Sequence, residues 1–289
     1  MSLHDKAILI DATLRQWNAR KADKAVSGEV NAQKGAAADA SKVIKRLISK
    51  EMTDPISQNI TALRQFYYLR TLPWLNGGFR ILPSNQLMSF REGWKELEGQ
   101  AQGKIDELIL NYDVAMDRAE LDLGKLFNAS DYPSSDELRS KFEITLDIMP
   151  VPYTKDFRAD ASDEEIKELK TRIQETETKA MQRCAEEPYK RIQKLVEEMS
   201  LALGHDANTT QGRIFKSKLD NLEKCINATP SINAFQDQNL TDVSESARAL
   251  LLDADVLRSN SAARRVTKTT ADDILRKMSG FMGQPPATI

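Results

Sequence analysis

Residues 162–203, SDEEIKELKTRIQETETKAMQRCAEEPYKRIQKLVEEMSLAL, decide the fold class. Ile166, Leu169, Ile173, Ala180, Cys184, Ile192, Leu195, Met199 and Leu203 recur at spacings of three and four or their sums. That is the period of one face of an α-helix. Ser162 and Glu165 make a capping box: the hydroxyl accepts from an unpaired amide of the first turn, and the carboxylate reaches back to the cap residue's own amide. Pro188 lacks an amide donor and its ring crowds the preceding turn, so a kink or a split is expected there. A rod this long with one apolar stripe needs a partner to cover it.

The residues upstream offer one. Ser84 can cap a second helix reaching to about Phe127, with the stripe Leu87, Trp94, Leu97, Ala101, Ile105, Leu108, Tyr112, Ala119, Leu123 and Leu126. Gly93, Gly99 and Gly103 weaken its first half and would suit close approach of a neighbouring backbone. Between the rods, residues 142–149 alternate without a miss, Phe142, Ile144, Leu146 and Ile148 against Glu143, Thr145 and Asp147, which is a strand with one apolar face. Its expected partner is 8–17, where Ile8, Ile10, Ala12 and Leu14 oppose Asp11, Thr13 and Arg15.

Around this frame, 21–47 is Ala-rich and basic and reads as a helix weakened by Gly28 and Gly35. Another helix is expected to start at Asp54 and Pro55, bury Ile56, Ile60, Leu63 and Tyr67, and stop at Pro73. The segment 71–83 reads as a loop anchored by Trp74 and Phe79, and Asp131, Tyr132 and Pro133 mark a turn. Past a polar hinge at 204–212, shorter helices fall near 214–227, 243–257 and 271–282. The expected fold is mainly α with a minor β element. It is a long, coiled-coil-like antiparallel helical hairpin with a small antiparallel sheet and C-terminal helices. Residues 1–204 are expected to form the strand-plus-hairpin domain and 205–289 a C-terminal helical region.

Composition narrows the chemistry. The chain has 289 residues, 29% of them charged and 40% hydrophobic, and a formal charge of −2, so bulk attraction to nucleic acid or anionic lipid is lacking and any such binding must come from local clusters. No leader-like apolar run and no span-length apolar stretch is present, so no membrane partner is expected. His4 and His205 are the only histidines and Cys184 and Cys225 the only cysteines, at spacings that match no zinc pattern. No nucleophile elbow occurs. Residues 99–105, GQAQGKI, are one residue short of a phosphate-binding loop, and Ile105 follows the lysine where Ser or Thr is needed. The acids Asp160, Asp163, Glu164 and Glu165 fit a helix N-terminus facing its own dipole better than a metal site. No catalytic residue, metal or cofactor is therefore expected, and the protein reads as a non-enzyme.

Two clusters stand out. The first is Arg15, Trp17, Arg20, Lys21 and Lys24, extended by Lys34, Lys42, Lys45, Arg46 and Lys50; the second is Arg64, Tyr67, Tyr68 and Arg70, with Trp74 and Arg80 beyond. Cations for phosphates interleaved with rings for bases are what a single-stranded DNA groove requires. The competing account makes the rings core anchors and the charges a solvated face.

Five stretches occur in a recognisable order: LRQWNARK (14–21), TLPW (71–74) with RILP (80–83), DYP (131–133), PVPYTKDF (150–157) and ILRKMSGFMG (274–283). Together they resemble a domain of unknown function found in tailed bacteriophages and prophages, over nearly the whole chain. The resemblance implies a phage-encoded protein made in the host cytoplasm. Some relatives are encoded near a MoxR-like AAA+ ATPase and a von Willebrand A-type protein, which implies an adaptor to a phage or host protein. No catalytic residues are known for the family. The resulting expectation is a helical adaptor that self-associates as a homo-oligomer or engages a protein partner. The alternative is an accessory protein that binds nucleic acid through its first 80 residues, in DNA protection or recombination.

Overall fold

In chain order the first elements are α1 (Leu3–Lys6), β1 (Ala7–Arg15), β2 (Arg20–Asp23), α2 (Lys24–Gln33), β3 (Val43–Arg46), α3 (Lys50–Leu69), β4 (Leu72–Pro73) and β5 (Arg80–Pro83). There follow α4 (Leu87–Leu110), α5 (Tyr112–Leu123), α6 (Ser135–Ser140), β6 (Glu143–Pro150), α7 (Asp163–Gly204), α8 (Lys216–Ile232), α9 (Gln238–Arg248), α10 (Ala254–Ser259) and α11 (Ser261–Phe281). This is a computed structural model that describes residues 3–74, 78–152 and 163–281. The fold is mainly α with a minor antiparallel β element.

The expected strands pair: the larger sheet has the order β4-β5-β1-β6, so β6 lies beside β1 across the intervening helices. Two strands in it correct the reading of 71–83 as a loop. β5 runs antiparallel to β1 with Ala7 opposite Pro83 and Ile10 opposite Arg80, and β4 runs antiparallel to β5. Segments of two and four residues are too short for periodicity to declare. Residues 75–77, at the centre of that expected loop, lie outside the described residues, as does Ser162 of the expected capping box.

The reading of 21–47 as one helix is also corrected. β2 and β3 flank α2 and pair antiparallel as a separate two-stranded sheet. Asp23 caps α2 by accepting from Val26 N at 3.1 Å. The helix ends before Gly35, whose φ of +62° is left-handed. Buried Asn31 then ties down the return, donating to Ala38 O (2.9 Å) and Ser41 O (3.2 Å) and accepting from Ser41 Oγ (2.5 Å). Local amide bonding overrides a run of alanines that favours helix.

α3 starts before Asp54, so Pro55 lies inside it, yet its buried stripe is the expected one: Ile56, Ile60, Leu63 and Tyr67. The second rod breaks at Asn111 into α4 and α5. Of its glycines, only Gly93 is crowded, and by a side chain, since a Cβ there would sit 2.7 Å from the Phe66 ring; Gly99 and Gly103 have nothing within 4 Å. Close backbone approach is not their reason.

Pro188 does not split α7. A helix-interior proline costs about 3 kcal/mol. Tyr189, Ile192, Val196 and Met199 are all buried just beyond it, and each such side chain contributes roughly 1.5–3 kcal/mol. Burial wins.

Contacts divide the chain into two units: Met1–Asp11, Tyr67–Phe90 and Asp147–Ile289 form the first, Ala12–Phe66 and Arg91–Leu146 the second. In the first, one core gathers Ile192, Val196 and Met199 of α7 with Leu222 and Ile226 of α8, Val243 of α9, Leu257 of α10 and Ile274 of α11. A neighbouring core gathers Leu3, Leu9, Leu72, Ile81, Val151, Ala180 and Cys184. The boundary expected at 204/205 therefore falls inside one unit, because Leu203 before the polar segment and Ile214 after it share a core. In the second unit Trp94, Ala101, Ile105 and Leu108 of α4 and Ile56, Ile60 and Leu63 of α3 are buried.

Candidate functional site

The first basic cluster is organised by the β2–β3 ribbon, which sets like charges opposite one another: Arg20 faces Arg46, and Lys21 faces Lys45. Successive side chains of a strand point to opposite faces, so these two pairs lie on opposite sides. Like charges directly opposite destabilise a ribbon unless something answers them.

On the Lys21–Lys45 side the answer is Asp131. Its Oδ1 lies 2.7 Å from Lys21 Nζ and its Oδ2 2.6 Å from Lys45 Nζ, and Asp23 approaches Lys45 at 3.4 Å. Lys45 Nζ also donates to Leu126 O at 2.7 Å. The Lys45 and Asp131 side chains are only 6% and 8% exposed, so the pairing is largely shielded from solvent. The hydrogen bonds from Lys21 and Lys45 hold the Asp131 carboxyl below the usual carboxylate range, and Asp131 in turn raises Lys45 above the usual amine value. The amide of Val26 leads the lowering of Asp23. Tyr132, next in sequence, donates from its hydroxyl to Leu47 O at 2.9 Å and fixes the turn that carries Asp131. Sequence marked 131–133 as a turn; nothing local signals that its aspartate answers two distant lysines.

The other side is different. Arg20 is exposed, Arg46 half-buried and Ile44 60% exposed, and neither arginine pairs with a carboxylate among the described residues. Lys24, at the start of α2, is exposed as well. Arg15, at the end of β1, is held by Glu143 Oε2 at 3.0 Å. Trp17 is half-buried with its ring edge-on to Tyr112, centroids 6.2 Å apart at 76°. Ala19, buried at φ +50°, turns the chain between β1 and β2.

The second cluster belongs to the other unit except for Arg64, which is exposed on α3. Tyr67 and Trp74 are buried, and Tyr67 donates its hydroxyl to Ile10 O at 3.1 Å. They anchor the core. Arg70 is half-buried, and Tyr68 is 51% exposed with the Arg80 guanidinium 4.6 Å from its ring centre. Arg80 donates to Thr71 Oγ1 (2.6 Å) and Thr71 O (3.0 Å). Arg191 of α7, which sequence reasoning missed, donates to Tyr68 O (2.9 Å), Leu69 O (3.3 Å) and Thr71 O (2.8 Å) and pairs with Glu187. Two guanidiniums thus satisfy the carbonyls at and just past the end of α3, where the helix dipole is negative. Burial first, then Arg191, lowers the Arg80 pKa. This is a cap in which Arg80 is already used.

For catalysis the inventory is thin. Cys184 and Cys225 are buried, and burial pushes their thiols up to about 12 and about 11. A thiol so raised is a poor nucleophile. Among the described residues no group of three His, Cys, Asp or Glu could hold a metal, and no helix is long and apolar enough to cross a membrane.

A third feature is the outer edge of β6. It ends the strand order of the larger sheet, and Ile148 and Met149 are 43% and 42% exposed, where strict alternation had placed Ile148 on a covered face. The first half of α7 is similarly under-covered: Ile166 and Ile173 are half-buried and Leu169 is 37% exposed.

No protein-family model, curated protein or solved structure matches this chain.

Proposed function

We propose that this protein is a non-enzymatic adaptor that works by engaging another polypeptide through the open edge of β6. A terminal strand presents a row of main-chain donors and acceptors outside its own sheet, and a second strand can complete them. Proteins that keep such an edge monomeric place lysine or proline along it. Here Thr145, Asp147, Ile148 and Met149 are exposed, the last two forming an apolar end; no lysine lies along β6, and proline comes only at the last residue, Pro150. That apolar edge is the observation that carries the reading. A second copy of the chain is the first partner to test, because an antiparallel edge is complementary to itself about a two-fold axis.

The order of the short stretches from LRQWNARK to ILRKMSGFMG supports a phage or prophage origin and action in the host cytoplasm. On that reading an AAA+ ATPase is the heterologous partner to look for. Sedimentation over a hundredfold range of protein concentration is the test of self-association. The natural chain should dimerise, and Ile148→Lys with Met149→Lys should be monomeric with an unchanged circular dichroism spectrum. Capture from infected cells after nuclease treatment then compares the two proteins. A chain that stays monomeric throughout and retains no protein that the double variant loses would sink the adaptor reading.

A further inference from the structure

We infer that the outward face of the β2–β3 ribbon, built on Arg20 and Arg46 with Lys24 and Lys42 at its ends, binds the sugar–phosphate backbone of nucleic acid. The argument rests on the contrast between the ribbon's two sides. Both carry a cross-strand pair of cations, Arg20 opposite Arg46 and Lys21 opposite Lys45. The inward pair is answered by Asp131 and Asp23. The outward pair meets no carboxylate among the described residues. Between 20 and 50 the chain has eight Lys and Arg against three Asp and Glu, although the whole chain is slightly acidic. Of those three acids, Asp23 is turned to Lys45, while Glu29 and Asp39 are exposed and make no ion pair among the described residues. The outward face thus carries Arg20 and Arg46 side by side with no ion pair to answer them among the described residues.

Arginine, with a planar fork of donors, suits phosphate oxygens. Among the described residues the same face lacks a stacking platform. Trp17 is engaged edge-on with Tyr112, and Ala22 and Ile44 are the residues that share the outward side with the arginines. Binding should then follow the backbone and be indifferent to sequence, unlike a groove that stacks bases. A lone exposed isoleucine is too little apolar surface to anchor in a bilayer.

The test uses the full chain with labelled 40-nucleotide single strands, oligo-dT and oligo-dC, a mixed-sequence duplex, and vesicles containing about one-third phosphatidylserine. Expected are binding at low salt that weakens steeply as salt rises, equal affinity for dT and dC, and little retention on vesicles. Arg20→Ala with Arg46→Ala should lower affinity about tenfold or more and reduce the logarithmic salt slope by roughly 1.5–2. Lys24→Ala with Lys42→Ala should act in the same direction, which keeps the test decisive if the arginine pair proves needed for folding. Lys194→Ala with Lys216→Ala removes equal charge elsewhere and should change little. The proposal is overturned by absent DNA binding at low salt, by ribbon variants that behave like that control, or by vesicles that bind where DNA does not.

Discussion

Asp131 shows how much one side chain can settle. Two lysines brought face to face by strand register would repel, and a single carboxylate placed 2.7 and 2.6 Å from them turns the repulsion into a bridge. Removing it leaves Lys45 buried with the Leu126 carbonyl at 2.7 Å and, as its one remaining carboxylate among the described residues, Asp23 at 3.4 Å. Asp131→Asn is expected to destabilise by about 2 kcal/mol, below the range for a fully enclosed pair because Lys21 is half exposed. The pH dependence has a definite sign. Asp131 titrates lower folded than unfolded, so its contribution is complete above the ordinary carboxylate value of about 4 and declines as pH falls through its lowered folded value. Lys45 titrates higher when folded, so its share is lost only as pH rises beyond the ordinary lysine value of about 10.4. Urea denaturation of both proteins between pH 2 and 8 should show a gap near neutrality that closes in acid; a gap independent of pH would refute the assignment.

Arg264 makes a similar point inside the helical core. The residue is only 8% exposed, and its guanidinium donates to the carbonyls of Ala202, Leu203, His205, Gly212 and Leu257. It faces no carboxylate in that set; the negative end of the α7 dipole and the ring of carbonyls stand in for one. Burial lowers its pKa.

Among the elements, the helices differ in what their glycines do. Gly99 and Gly103 lie within α4 with open space where a Cβ would go. Gly99→Ala and Gly103→Ala should each stabilise by about 0.5–1 kcal/mol, since alanine removes backbone freedom from the unfolded chain and meets nothing when folded. Gly212, in the connection between α7 and α8, is the opposite case. A Cβ there would lie 1.9 Å from Asp206 O, and Gly212 O is one of the acceptors of Arg264. Gly212→Ala should therefore cost several kcal/mol. Melting temperatures of the three variants check the contrast, and a neutral Gly212→Ala would show that the loop yields more readily than its geometry implies.

At the scale of the whole molecule, residues 205–281 are not an appendage to α7. α8 to α11 bury Ile192, Val196, Met199 and Leu203 of α7 in a shared core. A chain ended at Gly204 would expose that stripe, and the apolar area lost outweighs anything the rod's own helix propensity could supply. It should bind a hydrophobic dye, aggregate or lose its cooperative melt. A monomeric truncated chain with a sharp transition would show instead that residues 1–204 are a domain in their own right.

Sequence by itself determined the periodic features. The stripe of α3, the long run of α7, the buried positions of α4 and the strand character of β1 and β6 all follow from apolar residues repeating at the period of helix or strand, a property each segment carries alone. Of the basic–aromatic clusters, sequence supplied the membership. Tertiary structure decided which members remain available: Tyr67 and Trp74 went to the core, Lys21 and Lys45 to Asp131, Arg80 to the end of α3, and Arg20 and Arg46 to an open face. It also decided that 20–46 is a ribbon around a short helix, and that α7 shares its core with the C-terminal helices. The reason is physical. Periodicity is local, whereas charge pairing, capping by a distant arginine and the cover of an apolar face depend on residues far apart in the chain, whose spacing no segment encodes.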